Sequence, residues 1–366
     1  MQKLGVNFRP HFCSKSVLST ACARMNLQSS FHIVTGAGRG IGRAISIALA
    51  SRGAAGVALV DVCISEKTIE AVEAAASSAG FRPLPLIADV STRDGVLSAI
   101  GAARSAFGRI DGMVSNAGIA TLPLLDGESP RQRFTAIGES PASWQASVCG
   151  PGLCGATPDM VVCTKPPAAC ALPHARPISW FMRRCVRVCA PAPWQMSVNV
   201  MAHVWAAESL VPTFEQQEGG GALVSVVSAA GLLSQIGAPS YSVSKAAAVA
   251  FCQSLAIHHG DRGVRVHCVC PQAVATSLVG LPSEDPYAGD APKEALAGGA
   301  SDGVLSPGDV AMATVDAMES GEFMVLPHAG VSQYVQMKAA APAKWVKGMR
   351  KLRDAIEKGQ TPPVQS

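Results

Sequence analysis

Seven short apolar segments alternate with segments of helical periodicity along most of this 366-residue chain. The apolar segments read FHIVT, GVALVDV, PLPLIADV, IDGMVSNAG, ALVSVVS, VRVHCVCP and EFMVLP. Strands that alternate with helices favour a parallel sheet, and nearly continuous apolar character is typical of strands covered on both faces. The sequence therefore predicts one doubly wound α/β domain around a mostly parallel, seven-stranded sheet.

The first 30 residues differ in composition from the alternating region. They carry four basic residues and several Ser and Thr, but no Asp or Glu. That composition suits an organellar transit peptide, and the alternative is a disordered leader that precedes a true start at Met25. We therefore assign 1–30 as a leader and 31–335 as the α/β domain. The protein is expected in the mitochondrial or plastid matrix if the leader is a transit peptide, and in the cytoplasm otherwise.

An irregular insertion rich in Pro, Cys and Arg interrupts the domain within 127–193. Three interpretations are open: a metal-binding module, a surface insertion, and translated non-coding sequence from a gene model. The cysteine pairs lack the Cys-x-x-Cys spacing typical of compact zinc sites, so no metal ligand is predicted. The absence of any helical or strand period favours the third interpretation.

Residues 336–366 are expected to form a basic amphipathic helix and tail. The apolar stripe of this helix consists of Trp345, Met349, Leu352 and Ile356. Such a stripe favours docking onto the domain or onto a partner subunit.

The segment TGAGRGIG at 35–42 follows the first predicted strand and opens the first predicted helix. A bound phosphate needs close approach to the backbone and the N–H groups that a helix N-terminus supplies. Gly36, Gly40 and Gly42 allow that approach because they carry no side chain. In this strand–turn–helix context, the glycines predict a dinucleotide-binding site.

Asp61, at the end of the second predicted strand, bears on the choice of dinucleotide. A carboxylate at this position can accept hydrogen bonds from the adenosine ribose hydroxyls, and it would repel a 2′-phosphate. Arg39 favours the opposite choice, because a basic side chain could meet that phosphate. Since the strand fixes the carboxylate while the arginine is flexible and solvated, the sequence predicts NAD, with NADP as the less favoured cofactor.

The segment YSVSK places Tyr241 and Lys245 on one face at the start of a predicted helix. A tyrosine with the ordinary pKa of about 10 is a poor base at neutral pH, and a nearby ammonium lowers that pKa. The pair therefore has the chemistry of a general acid/base and its activator. Ser228 ends the fifth predicted strand, and its hydroxyl should emerge beside Tyr241 because ligands lie beyond the carboxyl ends of parallel strands.

These motifs resemble those of the short-chain dehydrogenase/reductase family, which has a Rossmann-like fold. The shared features are the Gly-x-x-x-Gly-x-Gly spacing, the segment ADV at 88–90 and the segment NAG at 116–118. The resemblance covers about 31–126 and 191–335.

The resemblance implies a role for each of four catalytic residues. Ser228 would orient the substrate, and Tyr241 would transfer the proton. Lys245 would lower the tyrosine pKa and bind the nicotinamide ribose, while Asn199 would support a proton-relay water. The implied cofactor contacts are Gly36, Arg39, Gly40, Ile41, Gly42, Asp61, Asp89, Val90, Asn116, Ala117, Gly118, Tyr241, Lys245, Pro271, Val274 and Thr276.

One motif departs from the family pattern after the sixth strand. The family commonly has Pro-Gly there, whereas this chain has Gln272 after Pro271. A residue other than glycine disfavours positive φ, so the backbone path of this turn is expected to differ. Val274 and Thr276 still match.

The sequence thus predicts an oxidoreductase that transfers a hydride between NAD(H) and an unidentified secondary alcohol or ketone. The alternatives are an NADP-dependent ketone reductase and a catalytically silent NAD-binding or interaction protein of the same fold. The resemblance also implies a homodimer or homotetramer. The net charge of +4 is modest and no apolar run reaches transmembrane length, so neither nucleic acid nor membrane is an expected partner.

Overall fold

The carboxyl ends of seven parallel strands form the edge at which the predicted motifs lie. The structure, a computed structural model, describes residues 24–120, 193–276 and 302–357. The strands are β1 Phe31–Thr35, β2 Gly56–Asp61, β3 Arg82–Ile87, β4 Gly112–Ser115, β5 Gly221–Val226, β6 Val264–Val269 and β7 Met324–Val325.

The strand order is β3-β2-β1-β4-β5-β6-β7, and each pairing between these strands is parallel. The chain proceeds outward from β1 to β3 and then returns to place β4 against the other side of β1. This reversal creates a crevice between the turns that follow β1 and β4, where doubly wound sheets bind ligands. The predicted fold class is confirmed.

Helices cover both faces of the sheet. They are α1 Gly40–Ser51, α2 Glu66–Ala74, α3 Arg93–Phe107, α4 Pro193–Met196, α5 Ala202–Phe214, α6 Ala230–Leu233, α7 Pro239–His259, α8 Pro307–Ser320, α9 Ala329–Ala340 and α10 Pro342–Glu357. A π-helical turn, Ser197–Met201, joins α4 to α5, and a 3₁₀ turn, Gly260–Arg262, follows α7.

The core lies in two layers, one on each face of the sheet. On one face, Leu49 of α1 and Met318 of α8 pack with the side chains of alternate strand positions. On the other face, Ile100 of α3, Leu210 of α5 and Cys252 of α7 do the same. Burial on both faces explains why the strands are apolar at nearly every position.

Hydroxyl caps fix the beginnings of three helices. The side chains of Ser65, Thr92 and Ser306 accept hydrogen bonds from backbone N–H groups in the first turns of α2, α3 and α8. Ser306 also forms a capping box with Asp309. The predicted start of α8, with Ser306 as N-cap and Pro307 in the first turn, is confirmed.

The packed domain begins before residue 31. Met25 and Leu27 are buried against the layer formed by α1 and α8, and the Met25 N–H donates to the Met318 carbonyl oxygen at 3.4 Å. Residues 24–30 therefore belong to the folded domain rather than to the leader assigned above. Residues 1–23, and the part of the predicted insertion within 121–192, lie outside the described residues.

The C-terminal region contains two helices where the sequence predicted one. Helix α9 crosses the expected boundary between 335 and 336, and it is hard to detect in the sequence because only Val331 is buried. Helix α10 matches the predicted amphipathic helix. Its Trp345 ring lies 6.5 Å from the ring of Tyr334 on α9, centroid to centroid, in a cluster that includes Leu233 of α6. No helix within 24–120, 193–276 and 302–357 is long and apolar enough to cross a membrane.

Candidate functional site

The turn after β1 is built by glycine backbone. Gly36 and Gly40 have φ values of +66° and +56°, which glycine adopts readily. A Cβ on Gly42 would lie 2.1 Å from the Gly36 carbonyl oxygen, so the first turn of α1 packs directly on the turn. Unlike α2, α3 and α8, helix α1 has no side-chain cap from its N-cap residue, Arg39. Its first-turn N–H groups are therefore available to an anion.

Asp61 connects the end of β2 to this turn. One carboxylate oxygen accepts the Gly38 N–H at 2.9 Å, and the other accepts the Val62 N–H at 2.7 Å. The Thr68 hydroxyl of α2 donates to the Gly38 carbonyl oxygen at 2.9 Å. The carboxylate is thus fixed beside the glycine turn, as its position at a strand end predicted.

The NAG segment after β4 is locked to the end of β1. Asn116 Nδ2 donates to the carbonyl oxygens of Thr35 and Gly36 at 3.0 and 3.2 Å. The Thr35 hydroxyl oxygen accepts the backbone N–H groups of Asn116 and Ala117. Thr35 was missed in the sequence analysis, although a buried threonine at the last position of a strand beside a glycine turn is a usable signal.

Asp89 and Val90 follow β3 at the same edge of the sheet. Asp89 is exposed, and one of its carboxylate oxygens accepts the Ser91 N–H at 2.8 Å. Val90 is buried in the core layer that contains α3. These contacts fix the turn, and the predicted role on the adenine side stays a prediction.

Three of the predicted catalytic residues meet beyond the end of β5. Tyr241 and Lys245 occupy the first two turns of α7, and the Lys245 Nζ lies 5.8 Å from the centroid of the Tyr241 ring. Ser228 follows β5, and its hydroxyl donates to the Pro271 carbonyl oxygen at 3.5 Å and lies near enough to Tyr241 to oppose the rise of the tyrosine pKa. Lys245 Nζ donates to the Val226 carbonyl oxygen at 3.3 Å, which anchors the ammonium to the end of β5.

Asn199 lies in the π-helical turn before α5 and joins this group through its side chain. Its amide accepts the Ile119 N–H at 2.9 Å and donates to the Ile119 carbonyl oxygen at 2.9 Å and to Ser244 Oγ at 3.0 Å. The Ser244 hydroxyl donates in turn to the Tyr241 carbonyl oxygen at 2.8 Å. Asn199 therefore ties the segment after β4 to the helix that carries Tyr241. Ser244 was missed in the sequence analysis.

Burial dominates the ionisation of both titratable residues. Burial raises the pKa of Tyr241, and the nearby Ser228 hydroxyl opposes that shift. Burial also lowers the pKa of Lys245 to about 8, opposed by the nearby thiols of Cys270, Cys268 and Cys252. The direction for Tyr241 differs from the lowering by Lys245 that the sequence predicted, because desolvation of the phenolate is the largest effect.

The turn after β6 lies against the glycine turn. The Thr276 methyl is 3.4 Å from the position that a Cβ on Gly40 would occupy. Among the described residues, the only non-glycine residues with positive φ are Ser29 and Ser234, so Gln272 takes its place in the turn without left-handed backbone. The Pro271 carbonyl oxygen accepts the Ala229 N–H at 2.8 Å, which holds the turn to the segment after β5.

The sequence model of the family described as short chain dehydrogenase matches residues 31–137 and 190–286. This chain belongs to the short chain dehydrogenase family. The match stops between 138 and 189, inside the predicted insertion of 127–193, so that stretch is foreign to the family pattern.

Individual short chain dehydrogenases are similar to this chain over about two thirds of its length. A cis-4-hydroxycyclohexanecarboxylate dehydrogenase from Sinomonas cyclohexanicum is 29% identical over 257 residues, which are 69% of this chain and 76% of that protein. A levodione reductase from Leifsonia aquatica is 26% identical over 249 residues, 68% of this chain and 70% of that protein.

Solved structures of other short chain dehydrogenases have a similar fold. A short chain dehydrogenase/reductase from Burkholderia phymatum in complex with NAD has a TM-score of 0.56 and 22% identity, covering 93% of this chain and 98% of that one. A short chain dehydrogenase from Mycobacterium paratuberculosis bound to NAD has a TM-score of 0.55 and 20% identity, covering 85% and 100%. At this identity the likeness establishes the fold.

Proposed function

We propose that this protein is an NAD-dependent oxidoreductase that interconverts a secondary alcohol and a ketone. The observation that carries the proposal is the cluster at the end of β5, where the Ser228 hydroxyl acts on the pKa of Tyr241 and the Lys245 ammonium lies beside the tyrosine ring. These groups supply a hydrogen-bond donor for the substrate oxygen, a proton donor and acceptor, and a positive charge.

The chain's own residues fit a dinucleotide at the turn after β1. The uncapped N-terminus of α1 offers backbone N–H groups to a pyrophosphate, and Gly36 and Gly40 allow close approach. Asp61, held by Gly38 and Val62, offers its carboxylate to ribose hydroxyls and repels a 2′-phosphate. NAD supplies the hydride donor and acceptor when it is bound. We propose that the preference is for NAD over NADP.

In ketone reduction, Ser228 donates a hydrogen bond to the substrate oxygen while Tyr241 gives its phenol proton to that oxygen. A bound NADH would supply the hydride that the carbonyl carbon needs to become an alcohol. Because its pKa is raised, Tyr241 is a neutral phenol at neutral pH, which suits this direction. In alcohol oxidation, the phenolate takes the hydroxyl proton, and the Lys245 ammonium stabilises that phenolate.

Asn199 is proposed to act through its backbone. The side-chain amide of Asn199 already bonds to Ile119 and Ser244. The relay water predicted from the family resemblance would therefore bond to the backbone carbonyl oxygen of Asn199. The π-helical turn at this point supports that view, since π-helical turns occur frequently at functional sites.

The names of two relatives suggest cyclic substrates. One acts on cis-4-hydroxycyclohexanecarboxylate and another is a levodione reductase. In this chain the residues packed with Tyr241, namely Ala120, Ala230 and Ala238, are small and apolar. We propose cyclic secondary alcohols and ketones as the first substrates to test.

Replacing Tyr241 by Phe tests the proposed chemistry. Tyr241→Phe removes the proton donor, so kcat on any active cyclic ketone should fall by about 10²- to 10⁴-fold. The Kd for NADH, measured by fluorescence titration, should change little because the ring is retained. Full activity in the variant would refute the role of Tyr241.

Two results with the unmodified protein would favour the alternatives. Binding of NADPH at least as tight as that of NADH would favour an NADP-dependent ketone reductase. Tight NADH binding with no turnover on a broad panel of alcohols and ketones would favour a catalytically silent NAD-binding protein. The proposed homodimer or homotetramer is checked by sedimentation equilibrium, in which a monomeric mass would refute it.

A further inference from the structure

We propose that His328 is a positioning residue that holds the turn after β6 against the glycine turn of the proposed NAD site. The inference rests on the proposed function. His328 follows β7, immediately before α9, and only 2% of its surface is exposed. The turn it contacts belongs to the neighbouring strand, and that turn contains Pro271, Val274 and Thr276.

The imidazole ring bridges two successive peptide groups of this turn. The Gln272 N–H donates to His328 Nδ1 at 3.1 Å, and His328 Nε2 donates to the Ala273 carbonyl oxygen at 3.0 Å. A single side chain thus pairs with one part-buried donor and one part-buried acceptor of the turn. Loss of the ring would leave the Gln272 N–H without this acceptor and would release the turn from β7.

The same turn carries further contacts that transmit its position to the cofactor site. The Ala273 carbonyl oxygen also accepts the Leu305 N–H at 3.1 Å, and Val274 forms a parallel bridge with Leu305. At the far end of the turn, Thr276 lies beside Gly40 in the glycine turn after β1. Moving the backbone at Gln272 would therefore move Thr276 relative to the dinucleotide-binding turn.

Gln272 explains why this turn needs a contact from another element. The family commonly has a glycine at this position, but Gln272 does not have positive φ, so the turn does not depend on glycine flexibility. Its backbone N–H points instead to an imidazole nitrogen. The turn is held by a side chain from another element rather than by its own sequence.

The bridge requires neutral histidine. Nδ1 must accept and Nε2 must donate, whereas the imidazolium form would place an N–H group against the Gln272 N–H. Burial lowers the pKa of His328, and the Ala273 carbonyl, the Asp302 carboxylate and the Gly303 carbonyl oppose that shift. Asp302 is the charged group that acts on the ring, and its carboxylate also accepts the Tyr334 hydroxyl at 3.0 Å.

The sign of the pH effect follows from this requirement. Because burial lowers the pKa of His328, the ring stays neutral somewhat below the ordinary histidine pKa of about 6.5, and only further acidification should protonate it and weaken NADH binding. At pH 7 to 8 the ring is neutral and the bridge is complete.

Three variants of the full chain test the proposal through the NADH Kd, measured by fluorescence titration from pH 8 to pH 5.5. His328→Leu removes both hydrogen bonds and should weaken binding about tenfold at pH 7.5. His328→Asn retains an acceptor for the Gln272 N–H and should recover part of that loss. Neither variant should show the weakening in acid that protonation of His328 causes. His258→Leu, the same change at an exposed histidine of α7, should keep the wild-type Kd and pH profile.

Each outcome has a definite meaning. If His328→Leu binds NADH with the wild-type Kd and the wild-type pH profile, the proposal is wrong. If His328→Leu does not fold, the pH profile of His328→Asn decides, because a profile like that of wild type overturns the proposal and a flat one supports it. If the unmodified protein does not bind NADH at all, the proposed function fails, and this inference fails with it.

Discussion

Two turns at the carboxyl edge of the sheet face each other and are held in different ways. The turn after β1 depends on close backbone packing, since a Cβ on Gly42 would lie 2.1 Å from the Gly36 carbonyl oxygen, and Asp61 and Asn116 add side-chain hydrogen bonds to it. The turn after β6 is held by a side chain, because His328 bonds to Gln272 and Ala273. Thr276 and Gly40 bring the two turns into contact.

This difference determines which changes would disturb each turn. The turn after β1 is closely packed, so it is sensitive to added volume. An imidazole bridge loses its acceptor when it is protonated, so the turn after β6 is sensitive to pH and tolerant of side-chain changes within the turn itself. Three predictions test this contrast.

The largest effect is expected from adding a methyl group at the turn after β1. In Gly42→Ala the new Cβ would also lie 2.5 Å from Asn116 Nδ2, and neither backbone nor locked amide can move away. We expect a loss of about 4 kcal/mol in the free energy of unfolding, or failure to fold. Urea denaturation measures this loss.

A helix glycine with open space around it provides the control. Gly101→Ala, in α3, should be stabilising by about 0.5–1 kcal/mol because alanine restricts the unfolded chain. Equal stabilities for the two variants would show that the turn after β1 is not held by close packing.

At low pH the whole domain could unfold, and global unfolding would release both turns together. Burial lowers the pKa of His32 to about 4, with Asp111 opposing, and burial followed by Lys245 lowers the pKa of His203 to about 3. Unfolding lets both bind protons with the ordinary pKa of about 6.5, so stability present above that pH is lost as the pH falls. We expect a loss of about 2 kcal/mol per histidine between pH 7 and pH 5.

Urea denaturation at pH 7, 6 and 5 measures this acid sensitivity. His203→Phe removes one of the two groups and should show a loss smaller by about 2 kcal/mol at pH 5. If the variant and the wild type lose stability in parallel, His203 does not contribute as expected. The same data identify the pH range in which the protein stays folded during NADH titrations.

The smallest effect is expected from restoring the family's glycine in the turn after β6. Gln272→Gly keeps the backbone N–H that donates to His328, so the NADH Kd should change by no more than about twofold to threefold. Greater freedom of the unfolded chain should lower stability by about 0.5–1 kcal/mol. A tenfold tighter Kd in the variant would mean that the His328 bridge holds the turn less well than glycine does.

The sequence predicted most features that depend on local pattern. The alternation of strands and helices predicted the fold, and the cap at Ser306, the glycine turn and the fixed carboxylate of Asp61 were found where expected. These features are readable because period, capping and turn chemistry act between residues close together in the chain. Helix α9 escaped detection because Val331 is its only buried residue, and the side chains that pack with it are half-exposed.

Contacts between distant segments were not readable. Thr35 joins the ends of β1 and β4, and Ser244 connects Asn199 to α7, yet nothing local distinguishes either residue from an ordinary buried hydroxyl. The pKa of Tyr241 was assigned the wrong direction, because the sequence shows the nearby lysine but not the depth of burial. Burial depends on the whole packed domain.

The sequence by itself determined the sheet, the dinucleotide-binding turn and the types of residue present at the catalytic edge. Only the tertiary structure decided how that edge is held together and which ionisation states it favours. The physical reason is that His328 is separated from Gln272 by more than fifty positions in the chain but by one hydrogen bond in space. The strand order places β7 beside β6, so that His328, which belongs to no recognisable sequence motif, can bond to the turn after β6.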